Sequence, residues 1–371
     1  AELASRGHEV ILYANPAFAA YVSDPAIRFV PIGTVEDYTR LFADVAEDNP
    51  GRALQAVARE FARTCGMYYQ AMKADTTLGN TLCISGPLLF AARLLRETHG
   101  VPCATVHLAP SVIRSNIRPA RLAPQWITAH TPALVKRLAW WTMDKFFLDP
   151  CFTAPLNRLR AELGLAPVVR IFQAWLHGAD AVIGLFPEWF APPAPDWPAQ
   201  LILTDFALTD HAQALPLPPA VQDFIQAGAP PVAFSAGTAS AVAQDFFNTS
   251  MQAIASTGLR AIFLSTFAAQ VPANLPKHIM HVHYAPFGSL LPQLAAFVHH
   301  GGIGSTSQAL RAGVPQLIRP VAYDQFDNSQ RAVEWGVAIE LLAHRYTAPT
   351  VAQALDSLRT NAPLHQRSRT M

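Results

Sequence analysis

Charge is what this sequence has least of. Of its 371 residues, 14% are charged and 51% apolar, where a typical soluble domain carries roughly 25% charged residues. Lys and Arg number 27 against 26 Asp and Glu, for a formal net charge of +1. The basic residues are scattered, so no cationic stripe exists to follow a phosphate backbone, and nucleic acid is excluded as a partner. A surface this poor in charge suits a greasy ligand or a place beside a membrane. Genome bias toward Ala and Pro gives the same composition with no function attached. Cysteine is scarce too: Cys65, Cys83, Cys103 and Cys151 stand singly, with no CxxC and no histidine at ligand spacing, which argues against a disulfide framework or a zinc site. No apolar run approaches the ~18 residues that cross a bilayer. The expectation is a cytoplasmic protein, at most peripheral to the inner face of a membrane.

What is present is alternation. From Glu9 onward, short apolar runs (EVILYA, IRFVPI, TLCIS, PCATVHLA) are separated by helical stretches near 16–23, 52–74 and 87–99. This is the pattern of a doubly wound α/β unit whose parallel sheet is covered on both faces. The order breaks at residues 108–178, where a Pro-studded loop leads into TPALVKRLAWWTMDKFF. It resumes in DAVIGLF and LILT. The segment TDHAQALPLPPA, with three prolines, reads as a linker. Beyond it PPVAFSAGT, RAIFLST, HIMHVHYAP, AAFVHHGG, VPQLIRP and GVAIEL form a second alternation. The expected layout is an N-terminal domain over 1–206, a linker over 207–220 and a C-terminal domain over 221–371, facing a cleft at the carboxyl ends of both sheets. The opening AELASRGHEV reads as a helix end before a strand. The sequence is therefore expected to be truncated at both ends.

The most specific stretch is AFVHHGGIGSTSQALRAGVPQLIRPVAYDQFDN, residues 296–328. An apolar strand ends at His299 and His300, glycines follow, and Ser305 and Thr306 open a helix. A helix N-terminus carries about half a positive charge and several unpaired N–H groups, and glycine lets the backbone approach an anion. A diphosphate fits, and His300 is placed to hydrogen-bond the leaving phosphate. Taken alone, the same glycines make an ordinary strand-to-helix turn. Asp324 and Gln325 follow the next strand and pair an acceptor with a donor, which suits sugar hydroxyls. In isolation Asp324 is a helix cap.

HHGGIGST, ALRAGVPQ and DQFDN in series resemble the donor signature of inverting GT-B glycosyltransferases. FSAGT (234–238) and YAPFGSLLP (284–292) resemble that family's first-strand turn and base-holding segment. The resemblance implies two Rossmann-like domains and metal-independent hexosyl transfer from a UDP- or dTDP-sugar, with no resident cofactor. It assigns the diphosphate to Gly237, Thr238, His300, Gly302, Gly304, Ser305 and Thr306. It assigns the nucleoside to Tyr284, Phe287 and Gln308, and the sugar to Asp324 and Gln325. Two positions depart from the family pattern: Tyr284 stands where an aromatic stacks on the base, and Gln308 where many members carry a ribose-binding Glu. Residues 168–198 resemble the bacterial subset that includes the rhamnolipid rhamnosyltransferase, which marks lineage more than substrate.

The family's general base sits in or near the Gly-rich loop after its first strand, a region the resemblance places upstream of Ala1, so the catalytic residue is unknown here. His107 is a weak candidate beside acceptor-lining and structural roles. Trp140, Trp141 and Trp189 are further acceptor-side candidates. The helix carrying Lys136, Arg137, Trp140, Trp141 and Lys145 has three open readings: it walls an acceptor pocket, touches a membrane surface, or packs on its own domain with its basic residues in water. The expected reaction is hexose or deoxyhexose transfer, with inversion, to a hydroxyl of a hydrophobic small molecule or lipid. The alternatives are a non-catalytic nucleotide-sugar-binding subunit and a nucleotide-sugar epimerase. No DxD motif is present, in keeping with the metal-independent expectation.

Overall fold

The computed structural model describes residues 1–45, 50–124, 127–208, 215–237 and 243–370. The chain divides into two compact units. The first comprises Ala1–His107, Pro132–Ile183 and Pro198–Ile202; the second comprises Leu108–Thr131, Gly184–Trp197 and Leu203–Met371. The second unit thus takes in two segments, 108–131 and 184–197, from within the expected N-terminal domain. Part of the expected linker, residues 209–214, lies outside the described residues.

In the first unit, β1 (Val10–Ala14) and β2 (Ile27–Pro31) pair in parallel. A separate sheet runs β3 (Cys83–Ser85), β4 (Cys103–His107), β5 (Ala181–Gly184), β6 (Leu201–Leu203). The long helix Pro50–Ala74 and the helix Ala91–His99 pack beside them. The turn predicted before the first strand is there, with Gly7 at φ +86°. The stretch expected to be helical near 16–23 is a 3-10 helix, Pro16–Tyr21, and the helix Val35–Val45 was not foreseen.

The second unit holds six strands: β7 (Val232–Ser235), β8 (Ala261–Leu264), β9 (Ile279–Val282), β10 (Ala296–His299), β11 (Gln316–Ile318) and β12 (Ala338–Glu340). They lie in the order β12-β11-β10-β7-β8-β9 and pair in parallel throughout. Every residue of β7, β8 and β10 is buried, because helices cover both faces. On one face Phe234, Phe263 and Val298 meet Phe247, Leu355 and Leu358 of the helices Gln244–Thr257 and Ala348–Thr360. On the other, Ala233, Ile262 and Phe297 meet Val221, Ile225 and Ala309 of the helices Pro219–Gln226 and Ile303–Ala312. Strand alternation sends successive side chains to opposite helical layers, so these strands read as continuous apolar runs. The strand order reverses between β7 and β10. In an open parallel sheet, the carboxyl ends of two such strands form the crevice where ligands bind.

Candidate functional site

Two loops meet at that crevice. The one leaving β7 carries Gly237, and the one leaving β10 carries His300, Gly301 and Gly302. The His300 imidazole lies between the two glycines. A Cβ on Gly237 would fall 2.6 Å from its Cε1, and a Cβ on Gly302 would fall 2.5 Å from its Nε2, both far inside van der Waals contact. Gly237 and Gly301 also sit at φ +89° and +91°, where a side chain is strained. Thr238 lies outside the described residues.

The helix begins two residues earlier than expected, at Ile303 with Gly302 as its N-cap. Ser305 and Thr306 are therefore inside its first turn. The Thr306 N–H already donates to the Gly302 carbonyl at 3.0 Å. The Ile303 N–H donates to Asp324 Oδ2 at 3.2 Å. That leaves the N–H groups of Gly304 and Ser305, which have no carbonyl four residues back inside the helix, free among the described residues. The Thr306 side chain is buried, and its Oγ1 has no partner among the described residues. Gln308 lies one turn beyond Gly304 and so on its side of the helix.

The histidines are neutral at ordinary pH. Burial pushes the His300 imidazole down to about 4, and its Nδ1 has no partner among the described residues. His299 is held lower still, at about 3, by burial and then by its neighbour His300; a hydrogen bond with Gln316 opposes the shift. Its roles are internal, with Nε2 3.0 Å from Gln316 Oε1 and Nδ1 accepting the Gly301 N–H at 3.1 Å. His299 sets the turn, while His300 takes no part in these bonds.

Asp324 and Gln325 follow β11 through a strained corner: Tyr323 is left-handed at φ +58°, which costs a non-glycine residue of order 1–2 kcal/mol. Gln325 Oε1 holds that corner, accepting from the N–H groups of Val321 (2.8 Å) and Ala322 (3.1 Å). Burial raises the Asp324 carboxyl above its ordinary value, against the hydrogen bonds from Asn328 and the Ile303 N–H. Asn328, fully buried, donates through Nδ2 to the Gly301 carbonyl at 3.0 Å and to Asp324 Oδ2 at 2.7 Å. One amide thus ties the glycine turn to the Asp324 carboxylate. The sequence reading missed it, although its signal was available: Asn328 stands four residues after Asp324, on the same face of the helix Gln325–Glu334.

Of the nucleoside candidates, Tyr284 is exposed beyond β9, while Phe287 is partly buried with its ring 5.3 Å from that of Phe297. Phe287, one of the three residues the resemblance assigns to the nucleoside, thus packs against the core, and Tyr284 stands free of it. Trp189 packs edge-on to Trp335, 5.8 Å between centroids. Trp335 caps the far end of the helix Gln325–Glu334, about 15 Å along the axis from Gln325. Near the site, Arg121 joins the same framework. Its N–H donates to Asp327 Oδ1 at 3.1 Å, and its guanidinium pairs with Glu340 at 2.8 Å.

In the first unit, His107 ends β4 with no exposed surface. Its Nε2 lies 3.3 Å from His177 Nδ1, and burial, then His177, pushes it down to about 3. An imidazole that holds a proton so weakly is a poor general base. Trp140 is buried and Trp141 exposed. Lys136 is buried rather than in water, a departure from the amphipathic reading.

Residues 261–371 match the family model described as Erythromycin biosynthesis protein CIII-like, C-terminal domain. The chain is 26% identical over 344 residues to Glycosyltransferase GtfC of Amycolatopsis orientalis, covering 90% of this chain and 79% of that protein. It is 27% identical over 365 residues to the vancomycin aglycone glucosyltransferase of the same organism, covering 95% and 83%. Among solved structures, the glycotransferase of kitacinnamycin superposes with a TM-score of 0.73 at 19% identity, over 100% of this chain and 88% of that one. The glycosyltransferase VinC in complex with dTDP gives 0.66 at 19%, over 99% and 88%.

Proposed function

We propose that this GT-B glycosyltransferase binds a UDP- or dTDP-sugar at the β7/β10 crevice. It transfers the hexose or deoxyhexose, with inversion, to a hydroxyl of a hydrophobic small molecule or lipid. The observation that carries the reading is the collar of Gly237, His300 and Gly302 at the strand-order reversal, beside the free N–H groups of Gly304 and Ser305. The helix N-terminus neutralises the diphosphate. A neutral His300 donates a hydrogen bond that strengthens as negative charge builds on the leaving phosphate. In this reading helix dipole and imidazole do the work a divalent cation does elsewhere. Asp324, through the oxygen that Asn328 and Ile303 do not use, and Gln325, through its amide nitrogen, take the sugar hydroxyls. Tyr284 and Gln308 meet the nucleoside. The relative named for glucosylating vancomycin aglycone and the neighbour solved with dTDP support the acceptor and donor classes.

Calorimetry with UDP, dTDP and their glucose and rhamnose conjugates tests this. His300→Ala should weaken nucleotide and conjugate alike, and Asp324→Ala the conjugate alone. A folded chain that binds none of the four would refute the donor site.

A further inference from the structure

The helix Ala133–Met143 is amphipathic the wrong way round. Positions 134, 138 and 141 share one face, and Leu134, Leu138 and Trp141 stand there 77%, 59% and 41% exposed. Val135 on the helix, and Phe146 and Phe147 in the π-helical stretch Asp144–Thr153 that continues it, are exposed as well. The opposite face buries Lys136, Trp140 and Asp144, with Asp144 paired to Arg170 at 2.9 Å. A helix that meets only water would place these groups the other way. Six large apolar side chains over roughly 20 Å of helix form a patch of the kind soluble surfaces rarely leave uncovered.

The charge around the patch is of one sign. Arg137 and Lys145 are exposed beside it, and the Lys145 ammonium lies 4.7 Å from the Trp141 ring and 5.6 Å from that of Phe146. Among the described residues neither makes an ion pair: Asp144 is buried in its pair with Arg170, and Asp149 accepts from Thr153 Oγ1 and the Arg170 N–H. We propose that this face lies on an anionic lipid surface. The apolar side chains enter the headgroup–acyl boundary while Arg137 and Lys145 meet phosphate oxygens. A second copy of the chain packed here by two-fold symmetry would set Arg137 and Lys145 against their own kind. A small acceptor is too short to cover the patch. The inference does not rest on the donor site and fails or stands apart from it.

Flotation of the full chain with vesicles of phosphatidylcholine, alone or mixed with phosphatidylglycerol, tests it. The chain should float with the mixed vesicles. Leu138→Glu should cut binding about tenfold or more, and Lys145→Ala about fivefold, the latter only on the anionic vesicles. Leu78→Glu, at an exposed apolar residue elsewhere, should change nothing. Circular dichroism establishes that each variant is folded. Three results would overturn the proposal: a folded chain that stays with the lipid-free fraction, equal loss of flotation for Leu78→Glu, or a dimer in sedimentation that Leu138→Glu dissociates.

Discussion

Replacing Asn328 by alanine should loosen the proposed donor site and the fold together, by an amount that depends on pH. The side chain is fully buried and makes two hydrogen bonds, one to a neutral carbonyl and one to a carboxylate. Such bonds contribute about 1 and about 2 kcal/mol, so Asn328→Ala should destabilise the second unit by about 3 kcal/mol at neutral pH, roughly a hundredfold in the folding equilibrium. The Asp324 carboxyl is already raised by burial. Between its ordinary value and that raised value the native state holds more protons than the unfolded one, so stability falls as pH rises through the window. Losing the Asn328 bond raises the carboxyl further and widens the window upward. Once Asp324 is protonated, its bond is no longer charge-assisted and both bonds are neutral, so the cost of the substitution should shrink toward about 2 kcal/mol. Urea unfolding at neutral pH and at about pH 4, read from the midpoint at constant slope, measures both numbers. A difference under about 0.5 kcal/mol at neutral pH, within the range of ordinary surface changes, would refute the account. So would a cost that does not change with pH.

Gly237→Ala places a methyl 2.6 Å from the His300 ring at a left-handed φ. Nucleotide affinity should fall at least about tenfold, and calorimetry beside the His300→Ala variant shows whether removing the ring restores room for the methyl. The histidines predict acid sensitivity with a definite sign. His107, His299 and His300 are held at about 3, 3 and 4, below the usual value of about 6.5. Below that value the unfolded chain binds more protons, so their contribution is complete above about pH 6.5 and is lost progressively as pH falls to about 4 for His300 and about 3 for His107 and His299. Proton NMR should show no titration of the His300 ring between about pH 5 and 8. A midpoint near 6.5 would show that the ring is open to water.

The elements that position the site were legible where local periodicity carried them. The runs RAIFLST, AAFVHHGG and VPQLIRP became β8, β10 and β11, and the helix expected near 241–257 is Gln244–Thr257. Continuous burial leaves such strands apolar throughout, a pattern visible without partners. The helices Pro219–Gln226, Ala348–Thr360 and Ala362–Thr370 were not read. Each has a proline among its first two residues, and a proline close to loop residues reads as a breaker as readily as a helix start. The start at Ser305 was placed two residues late because glycine, a weak signal for N-capping, holds the cap at Gly302.

By itself, then, the sequence determined the alternation of strands and helices, the glycine turn with its imidazole, and the chemistry those residue types can offer an anion and a sugar. These follow from spacings of two to four residues, which the backbone converts directly into shared faces and turns. The tertiary structure alone decided which distant groups converge. Gly237 and Gly302 close on His300 because β7 lies beside β10 and not at the sheet's edge. Arg121 reaches Asp327 and Glu340 from a segment of the first half of the chain. His107 is sealed against His177, and Lys136 is buried while Leu138 is exposed. Strand order and the choice of buried face are set by how whole layers pack, a sum over contacts far apart in the chain that no local spacing encodes.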